Sequence, residues 1–468
     1  MLHYKWIIVS IVWNYNTRKG GIIMHDKKID LTTGSIWKSI IAFSIPLLIG
    51  NLFQQLYNTV DSWVVGNYVG KEALAAVGAS TPVINMLIGF FMGLATGAGV
   101  VIAQYFGAND IKNMRKAIHN SMALTLVMAV VLTVIGIIFT DTLLQAIGVP
   151  SDVFSMASEY LAIYFMGITF VLIYSMGSGI LRALGDSKRP LYFLILSSCV
   201  NVVLDIWFVR GLGWGVAGAA IATLIAQGMS AVLVCYVLMH TKENYQLVIK
   251  EVRFDKEIIK KIIRLGLPTG LQQSIVSLSN VIVQSYINVY GSSVIAGYSV
   301  TTKLDGFMNL PLQAFNMAIT TFVGQNIGAK QYDRVKKGAY VTLALAMITI
   351  IIFIIVTFFF GEQFISLFNQ EKEVIQAGRT MQLVFLLGYI FLPINQVING
   401  VLRGAGKSAV PMYVMIFSFV FLRQLYLFVV TKFTSSVAFI FAGWPITWFI
   451  CSLIFVIYFY KVKWLPEE

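Results

Sequence analysis

Long apolar stretches dominate the chain and restrict its possible folds more than any other feature. A helix that crosses a bilayer needs roughly 20 predominantly apolar residues, and the 468 residues contain about twelve stretches of that length. Only 12% of the residues are charged, about half the share usual in soluble domains. The sequence therefore predicts an all-α polytopic membrane protein with twelve transmembrane helices. The predicted spans are 39–65, 74–104, 120–140, 160–181, 191–209, 214–239, 265–290, 293–325, 338–361, 380–402, 410–430 and 436–460.

Lys and Arg are distributed unevenly between the two sides of such a bundle. With the N-terminus assigned to the cytoplasm, the tails and the even-numbered gaps between spans hold 27 of the 34 Lys and Arg residues, whereas the odd-numbered gaps hold five. This asymmetry follows the positive-inside rule. We therefore expect a multi-pass protein of the cell (plasma or inner) membrane with both termini cytoplasmic. Topology accounts for the net charge of +13, so no nucleic-acid partner is predicted.

An internal repeat divides the chain at an offset of 221 residues. The segment GILRALGDSKRP (179–190) aligns with GVLRGAGKSAVP (400–411), and QYFGA (104–108) aligns with QNIGA (325–329). Pro46 and Pro268 differ by 222 residues, so one residue slips between them. Each half holds six predicted spans, so both halves insert the same way up and form two lobes related by a pseudo-two-fold axis along the membrane normal.

The repeat and the charged gap between its halves predict the domain boundaries. Transporters built from parallel repeats bind substrate between the lobes and work by alternating access, and we expect this chain to do so as a monomer. The predicted divisions are a cytoplasmic N-terminal tail (1–38), an N-lobe (39–239), a cytoplasmic linker (240–264), a C-lobe (265–460) and a cytoplasmic tail (461–468).

One face of the first predicted span is polar. Gln54, Tyr57, Asn58 and Asp61 stand at i, i+3, i+4 and i+7, which places them along one side of a helix. A polar stripe within a membrane must face protein or water, and an ionisable residue there usually marks an ion or substrate path. The alternative is a set of interhelical hydrogen bonds that only holds the bundle together.

A second carboxylate lies at the same predicted depth. Asn201 and Asp205 are four residues apart in the fifth span, and Asp61, Thr223 and Tyr160 also fall in the outer half of the bilayer. Two carboxylates with an amide and hydroxyls can bind Na⁺ through oxygen ligands, or they can share a proton, because burial and like charge disfavour double ionisation. The residues leave this choice open. A purely structural network is the other interpretation.

Three segments resemble a known family of transporters. They are IPLLIGNLFQQLYNTVDSWVVGNYVGKEALAAVG (45–78), the paired loops GILRALGDSKRP and GVLRGAGKSAVP, and VNVVLD (200–205). Together they are similar to the MATE (multidrug and toxin extrusion) family of cation-coupled antiporters, and to its DinF-like and MepA-like branches in particular. The resemblance covers roughly residues 30–460. It implies twelve helices in two lobes around a central cavity, and the export of lipophilic, often cationic compounds.

The resemblance also implies roles for individual residues of the first lobe. The ion-coupling site of those branches, including a possible Na⁺ site, carries over onto Asp61, Asn201, Asp205 and Thr223, with Tyr160 beside it. Positions that line the substrate cavity of that lobe correspond to Gln54 and Tyr57, and Asn58 shares their stripe. Pro46 corresponds to the proline at which the first helix of the family is expected to bend.

The second lobe departs from the NorM-like branch, which has acidic residues in the seventh and tenth helices. Here those spans offer amides and hydroxyls, namely Gln272, Gln273, Ser274, Asn395, Gln396 and Asn399. We therefore expect no acidic ion site in this lobe and assign Gln272 and Gln273 to the cavity. Lys303 and Asp305 lie two residues apart in the eighth span, so each needs a partner elsewhere. Both are assigned to the cavity, with a structural hydrogen-bond role as the alternative.

These features together predict a secondary antiporter that exports amphipathic small molecules across the lipid bilayer in exchange for H⁺ or Na⁺, with no cofactor. A lipid-linked oligosaccharide flippase of the same superfamily is the nearest alternative, but it should have a strongly cationic cavity, and the spans hold only Lys303 and Arg423. An enzyme is not predicted, because no HExxH motif, nucleophile–base set or metal cluster occurs within the spans. A channel is the remaining option, which stoichiometric exchange would exclude.

Overall fold

The computed structural model describes residues 28–434 and 436–465, almost all of which belong to helices. Twelve helical rods follow one another along the chain. They are α1 (Ile36–Tyr68), α2 (Lys71–Gly107), α3 (Ile111–Ala146), α4 (Ser151–Ala183), α5 (Lys188–Gly211), α6 (Gly215–His240), α7 (Lys256–Ile287), α8 (Ser292–Gly328), α9 (Tyr332–Ser366), α10 (Lys372–Leu386 and Tyr389–Gly404), α11 (Ala409–Phe433) and α12 (Val437–Lys461).

The twelve rods form the two six-helix lobes that the sequence predicts. Of the described helices, nine are long and apolar enough to cross a membrane, and the two segments of α10, which meet at 45°, make a tenth. The other two long helices, α7 and α8, carry more polar residues, as expected of helices that border a polar interior. The domain boundaries stay predictions, and residues 1–27 and 466–468 of the two tails lie outside the described part of the chain.

The backbone repeats its turns at the offset seen in the sequence. Six of the ten described residues with positive φ form pairs that are 221 positions apart: Gly70 and Gly291, Asn109 and Lys330, and Gly185 and Gly406. Positive φ is uncommon for residues other than glycine, so a matching Asn and Lys in this conformation is strong evidence that the two lobes share one backbone design.

Helices α1 and α7 each cross from one lobe to the other. The first half of α1 packs into the core of the second lobe through Ile40 and Phe43, whereas its far end packs through Val64 against α5 and α6 of the first lobe. The first half of α7 packs reciprocally into the first lobe through Ile262. Pro46 is buried within α1, close to the point where its packing changes lobe, so a bend there would move the lobes relative to each other.

Glycines bring α2 and α7 into backbone contact between the lobes. A Cβ on Gly93 would overlap the backbone of Gly270, and a Cβ on Gly97 would overlap the backbone of Gly266. Such close approach requires residues without side chains on both helices. These contacts close one end of the interface, which we call the sealed end; it holds the C-terminal ends of α2 and α8.

Two glutamines at equivalent positions of the repeat complete the sealed end. Gln104 of the first lobe donates from Nε2 to the carbonyl of Gly404 in the second lobe over 3.0 Å. Gln325, its repeat equivalent, donates to the carbonyl of Ala183 in the first lobe over 2.8 Å. Both carbonyls lie at helix C-termini, where backbone acceptors lack a partner within the helix. Each lobe therefore caps a helix of the other.

The segment before α1 also spans both lobes at the sealed end. Leu31 is fully buried, and its N–H donates to Gln325 Oε1 over 3.3 Å. Its carbonyl accepts hydrogen bonds from Asn326 and Arg334, while the N–H of Ile29 donates to the carbonyl of Gly185 in the first lobe over 3.1 Å. This segment fastens the two lobes together from outside the bundle.

Candidate functional site

The polar stripe of α1 divides between two faces. Tyr57 and Asp61 point into the first lobe, where Asp61 is only 7% exposed. Gln54 and Asn58 are exposed on the neighbouring face. The four residues that the sequence places along one helical side thus supply a buried pair and an accessible pair, next to each other.

Asp61 meets Asp205 inside the first lobe. The two carboxyl groups are within hydrogen-bonding reach of each other, and Asp205 is fully buried. Two carboxyl groups can form such a bond only if a proton lies between them. In each residue the Oδ1 atom is buried without a hydrogen-bond partner. The predicted pairing of α1 with α5 is therefore present, with unused oxygen atoms on both sides.

Asn201 and Thr223 extend this pair into a network. In the orientation that satisfies both of its polar atoms, the Asn201 amide donates to Asp205 Oδ2 over 3.0 Å and accepts from the backbone N–H of Thr223 over 3.3 Å. Tyr57 donates its phenol hydrogen to Thr223 Oγ1 over 3.3 Å. Helices α1, α5 and α6 are thus tied together around the two carboxyl groups.

Helix α5 changes its winding directly after Asp205. Residues Ile206–Gly211 form a π-helical turn, a local widening that is frequent at functional sites. Asp205 closes the α-helical part of α5, so its carboxyl group sits where the helix departs from regular geometry. The pattern of apolar residues gives no sign of this irregularity.

Tyrosines of α4 stand beside the carboxyl pair. Tyr160 is 5% exposed and lies close enough to Asp61 and Asp205 for electrostatic interaction. Tyr164 lies next to both Tyr57 and Tyr160 and was not among the predicted site residues. Its position four residues after Tyr160, on the same helical face, is the signal that would have found it.

Exposed polar side chains lie beyond the sealed end on helices of both lobes. The last inter-lobe hydrogen bond in the described chain joins Ser274 Oγ to the carbonyl of Met86 over 3.0 Å. Exposed polar side chains in a membrane helix face water or protein rather than lipid, so these helices border an aqueous cavity. The exposed polar residues of these helices include Gln54, Asn58, Asn85, Gln273, Asn280 and Lys303. Asn85 and Asn280 were not among the predicted residues.

The fold of the chain agrees with what the chain is similar to. The sequence profile of the MatE family matches residues 46–207 and, a second time, residues 268–429. The two matches cover more than half of the chain. The chain belongs to the MatE family. It is thus a multi-pass membrane protein of a transporter family, and the repeat predicted from the sequence is confirmed.

Relatives of this MatE chain span nearly its whole length. The probable multidrug resistance protein YoeA of Bacillus subtilis is 30% identical over 93% of this chain and 95% of its own. The multidrug export protein MepA of Staphylococcus haemolyticus is 21% identical, over 80% of this chain and 82% of its own. A solved structure described as the outward-facing conformation of a multidrug resistance MATE family transporter of the MOP superfamily is 25% identical. It has a TM-score of 0.88 and covers 95% of this chain and 99% of the other.

The carboxyl pair of this MatE chain could accept a cation as well as a proton. Hard cations prefer oxygen ligands, and the Oδ1 atoms of Asp61 and Asp205 are buried without a hydrogen-bond partner. Within the described ranges, no three His, Cys, Asp or Glu side chains form a cluster suited to a metal ion. The donor set fits Na⁺ better than a transition metal, and it also fits a shared proton.

The second lobe of the transporter uses its amides internally. Gln272 is 1% exposed and accepts a hydrogen bond from Arg403 over 3.0 Å, while its own nitrogen points at the sulfur of Met415. Asn395 bonds to the backbone of Trp448 over 3.1 Å. In this conformation Gln272 therefore lies inside the lobe, whereas its neighbour Gln273 is exposed.

The side chains of Asp305 and Lys303 lie in different surroundings, as their spacing predicts. Asp305 is half-buried and accepts a hydrogen bond from Tyr389 of α10 over 2.7 Å. Lys303 is exposed, and within the described chain no carboxylate forms a salt bridge with it. Arg423, the other intramembrane cation of the sequence analysis, is buried; its guanidinium donates to Thr447 and stacks on Trp444.

Proposed function

We propose that this protein is a secondary antiporter that expels amphipathic organic compounds, as its multidrug relatives are named for doing, in exchange for protons. The observation that carries the proposal is the buried contact between the Asp61 and Asp205 carboxyl groups. A shared proton keeps two like charges from being buried together. The transporter would act as a monomer with both termini cytoplasmic, and it would need no cofactor besides the coupling cation.

Proton binding at this pair would act on α1 and α5. Loss of the shared proton leaves two carboxylates in contact, and their repulsion at low effective dielectric favours separating the helices that carry them. Coupling follows if the protonated and unprotonated pairs prefer different arrangements of the lobes. Na⁺ is the second candidate, supported by the unpartnered Oδ1 atoms.

The positive-inside asymmetry supports a cytoplasmic sealed end, and with that orientation this conformation would be outward-facing. The resemblance to a structure described as outward-facing supports the assignment. The cavity is then open to the outside. Its exposed lining is mostly amide, with Lys303 its one cation among the described residues named above, which suits neutral and cationic amphiphiles. A flippase for anionic lipid-linked sugars would need more positive charge than this.

Transport from reconstituted vesicles tests the proposal. The vesicles are loaded with each of a panel of amphipathic dyes, and a pH gradient or a Na⁺ gradient is then imposed separately. We expect the pH gradient alone to drive dye movement, with a fixed ratio of protons exchanged to dye molecules transported for each dye. Dye movement driven only by the Na⁺ gradient would mean that Na⁺, not H⁺, is the coupling ion. Dye movement that depends on neither gradient would contradict antiport.

Replacing Pro46 with Ala should slow turnover while leaving dye binding intact. The substitution restores a backbone N–H and removes the ring clash that bends a helix, and Pro46 lies near the point where α1 passes from one lobe to the other. Dye binding by fluorescence and efflux by vesicle assay measure the two effects. Pro82→Ala, an exposed proline of α2 beyond the sealed end, is the control. Unchanged turnover in Pro46→Ala would rule out bending at this residue.

A further inference from the structure

Two basic residues near the start of α3 in the first lobe pair with carboxylates of the linker. Arg115 donates to both carboxylate oxygens of Glu251, each over 3.1 Å, and Lys116 pairs with Asp255 over 3.2 Å. The backbone N–H of Ile258 and the Lys116 ammonium hold the pKa of Asp255 below its ordinary value, so this carboxylate is charged at neutral pH. Arg115 and Lys116 therefore both have anionic partners.

The equivalent turn of the second lobe lacks these partners. Lys336 and Lys337 of α9 stand 221 residues after Arg115 and Lys116, and both are exposed. In the parts of the chain that the structure describes, neither lysine forms a salt bridge. The carboxylate of Asp110, at the beginning of α3, is likewise replaced by Gln331 before α9. The basic pair of the first lobe thus has anionic partners, whereas its equivalent in the second lobe, Lys336 and Lys337, has none among the described residues.

A cleft of about 640 Å³ opens beside these lysines. We call it the basic cleft; it is lined by Lys330, Lys336 and Lys337 together with Ile36, Tyr332 and Leu465. Asp333 is the one carboxylate among its described lining residues. Arg334 forms part of the wall, but its guanidinium is committed to the carbonyls of residues 31, 33 and 34. The three lysines are the charges available to a ligand.

We propose that the basic cleft binds the phosphate headgroup of an anionic phospholipid. The cleft lies at the ends of α1, α9 and α12, where those helices leave the hydrocarbon region, and basic pockets at this level attract anionic headgroups. The exposed Trp37 lies next to Ile36 at the start of α1, as expected of a residue at the membrane interface. The lysines match the phosphate, and Ile36 and Leu465 offer apolar surface to the glycerol and the first acyl carbons.

Titration of the delipidated protein with short-chain lipids tests the assignment. Dioctanoyl phosphatidylglycerol and dioctanoyl phosphatidylcholine are compared by native mass spectrometry on the wild type and on Lys336→Gln/Lys337→Gln. Each lysine near an anionic headgroup strengthens its binding, so the loss of two lysines should weaken phosphatidylglycerol binding about thirty-fold. Phosphatidylcholine binding should change little. Lys330→Gln should give a smaller loss in the same direction. Size-exclusion profiles check that each variant remains folded.

The matched control removes two charges at the same end of the bundle but outside the cleft. Lys256 and Lys260 are exposed on the first turns of α7, and Lys256→Gln/Lys260→Gln should keep wild-type affinity for phosphatidylglycerol. An equal loss in this control would mean that net charge alone attracts the lipid, and would overturn the site. Equal affinity of the wild type for both lipids would overturn it too. Displacement of phosphatidylglycerol by millimolar inorganic phosphate would identify a free-anion site instead.

Discussion

Asp61→Asn, and separately Asp205→Asn, should abolish gradient-driven export while leaving the protein folded in the membrane. The amide keeps the shape of the carboxyl group and can still hydrogen-bond to its neighbour, so the cost in stability should be only about 1 kcal/mol. It cannot release a proton or carry a charge, so the pair can no longer alternate between two states. Dye efflux from vesicles with an imposed pH gradient should fall to the level of protein-free vesicles.

The double variant distinguishes one coupled unit from two separate sites. Because the two carboxyl groups lie within hydrogen-bonding reach of each other, Asp61→Asn/Asp205→Asn should be no worse than either single change, as is usual for residues that act together. Asp305→Asn is the matched control: this residue lies in the second lobe, where it bonds to Tyr389, so its loss should alter substrate range or expression and leave the response to pH unchanged. If Asp305→Asn abolished that response while Asp61→Asn retained it, the coupling site would belong to the second lobe.

The first-lobe site could be predicted because its residues follow helical periodicity within otherwise apolar spans. Asp61 shares a stripe with Tyr57, and Asp205 shares a face with Asn201, and charged groups are rare enough in membranes to stand out. Tyr164 was not predicted because the sequence pattern does not distinguish a functional tyrosine in an apolar helix from one that only packs. The internal orientation of Gln272 also could not be foreseen, since periodicity places it on a helix without showing which neighbour that face meets.

The repeat predicted two equivalent lobes but not how they meet. Gln104 and Gln325 align in the sequence, yet alignment does not show that each caps a helix of the opposite lobe. Contacts between lobes depend on the rotation of whole bundles, to which many residues contribute weakly. The same holds for the crossing of α1, whose two halves pack on different lobes.

Gly97→Ala should force the sealed end open. A Cβ at this position would overlap the backbone of Gly266 and stand 2.9 Å from the carbonyl oxygen of Ile262. Overpacking typically costs about 1–3 kcal/mol. Here it destabilises only the conformation in which α2 and α7 touch. Since about 1.4 kcal/mol is a factor of ten, the sealed population should fall roughly 5- to 150-fold relative to open ones. Export should slow because each cycle must pass through the sealed state.

Spin labels on the two lobes measure this shift directly. Lys112 and Asp333 are exposed repeat equivalents at the sealed end, and labels attached through Lys112→Cys and Asp333→Cys should move apart in Gly97→Ala. Gly78→Ala is the control on the same helix, because a Cβ there meets nothing within 4 Å. Both changes raise helix propensity equally, so only steric contact between the lobes separates them. Identical label distances in the two variants would show that α2 and α7 can yield to a methyl group, and that the glycine contacts do not set the conformation.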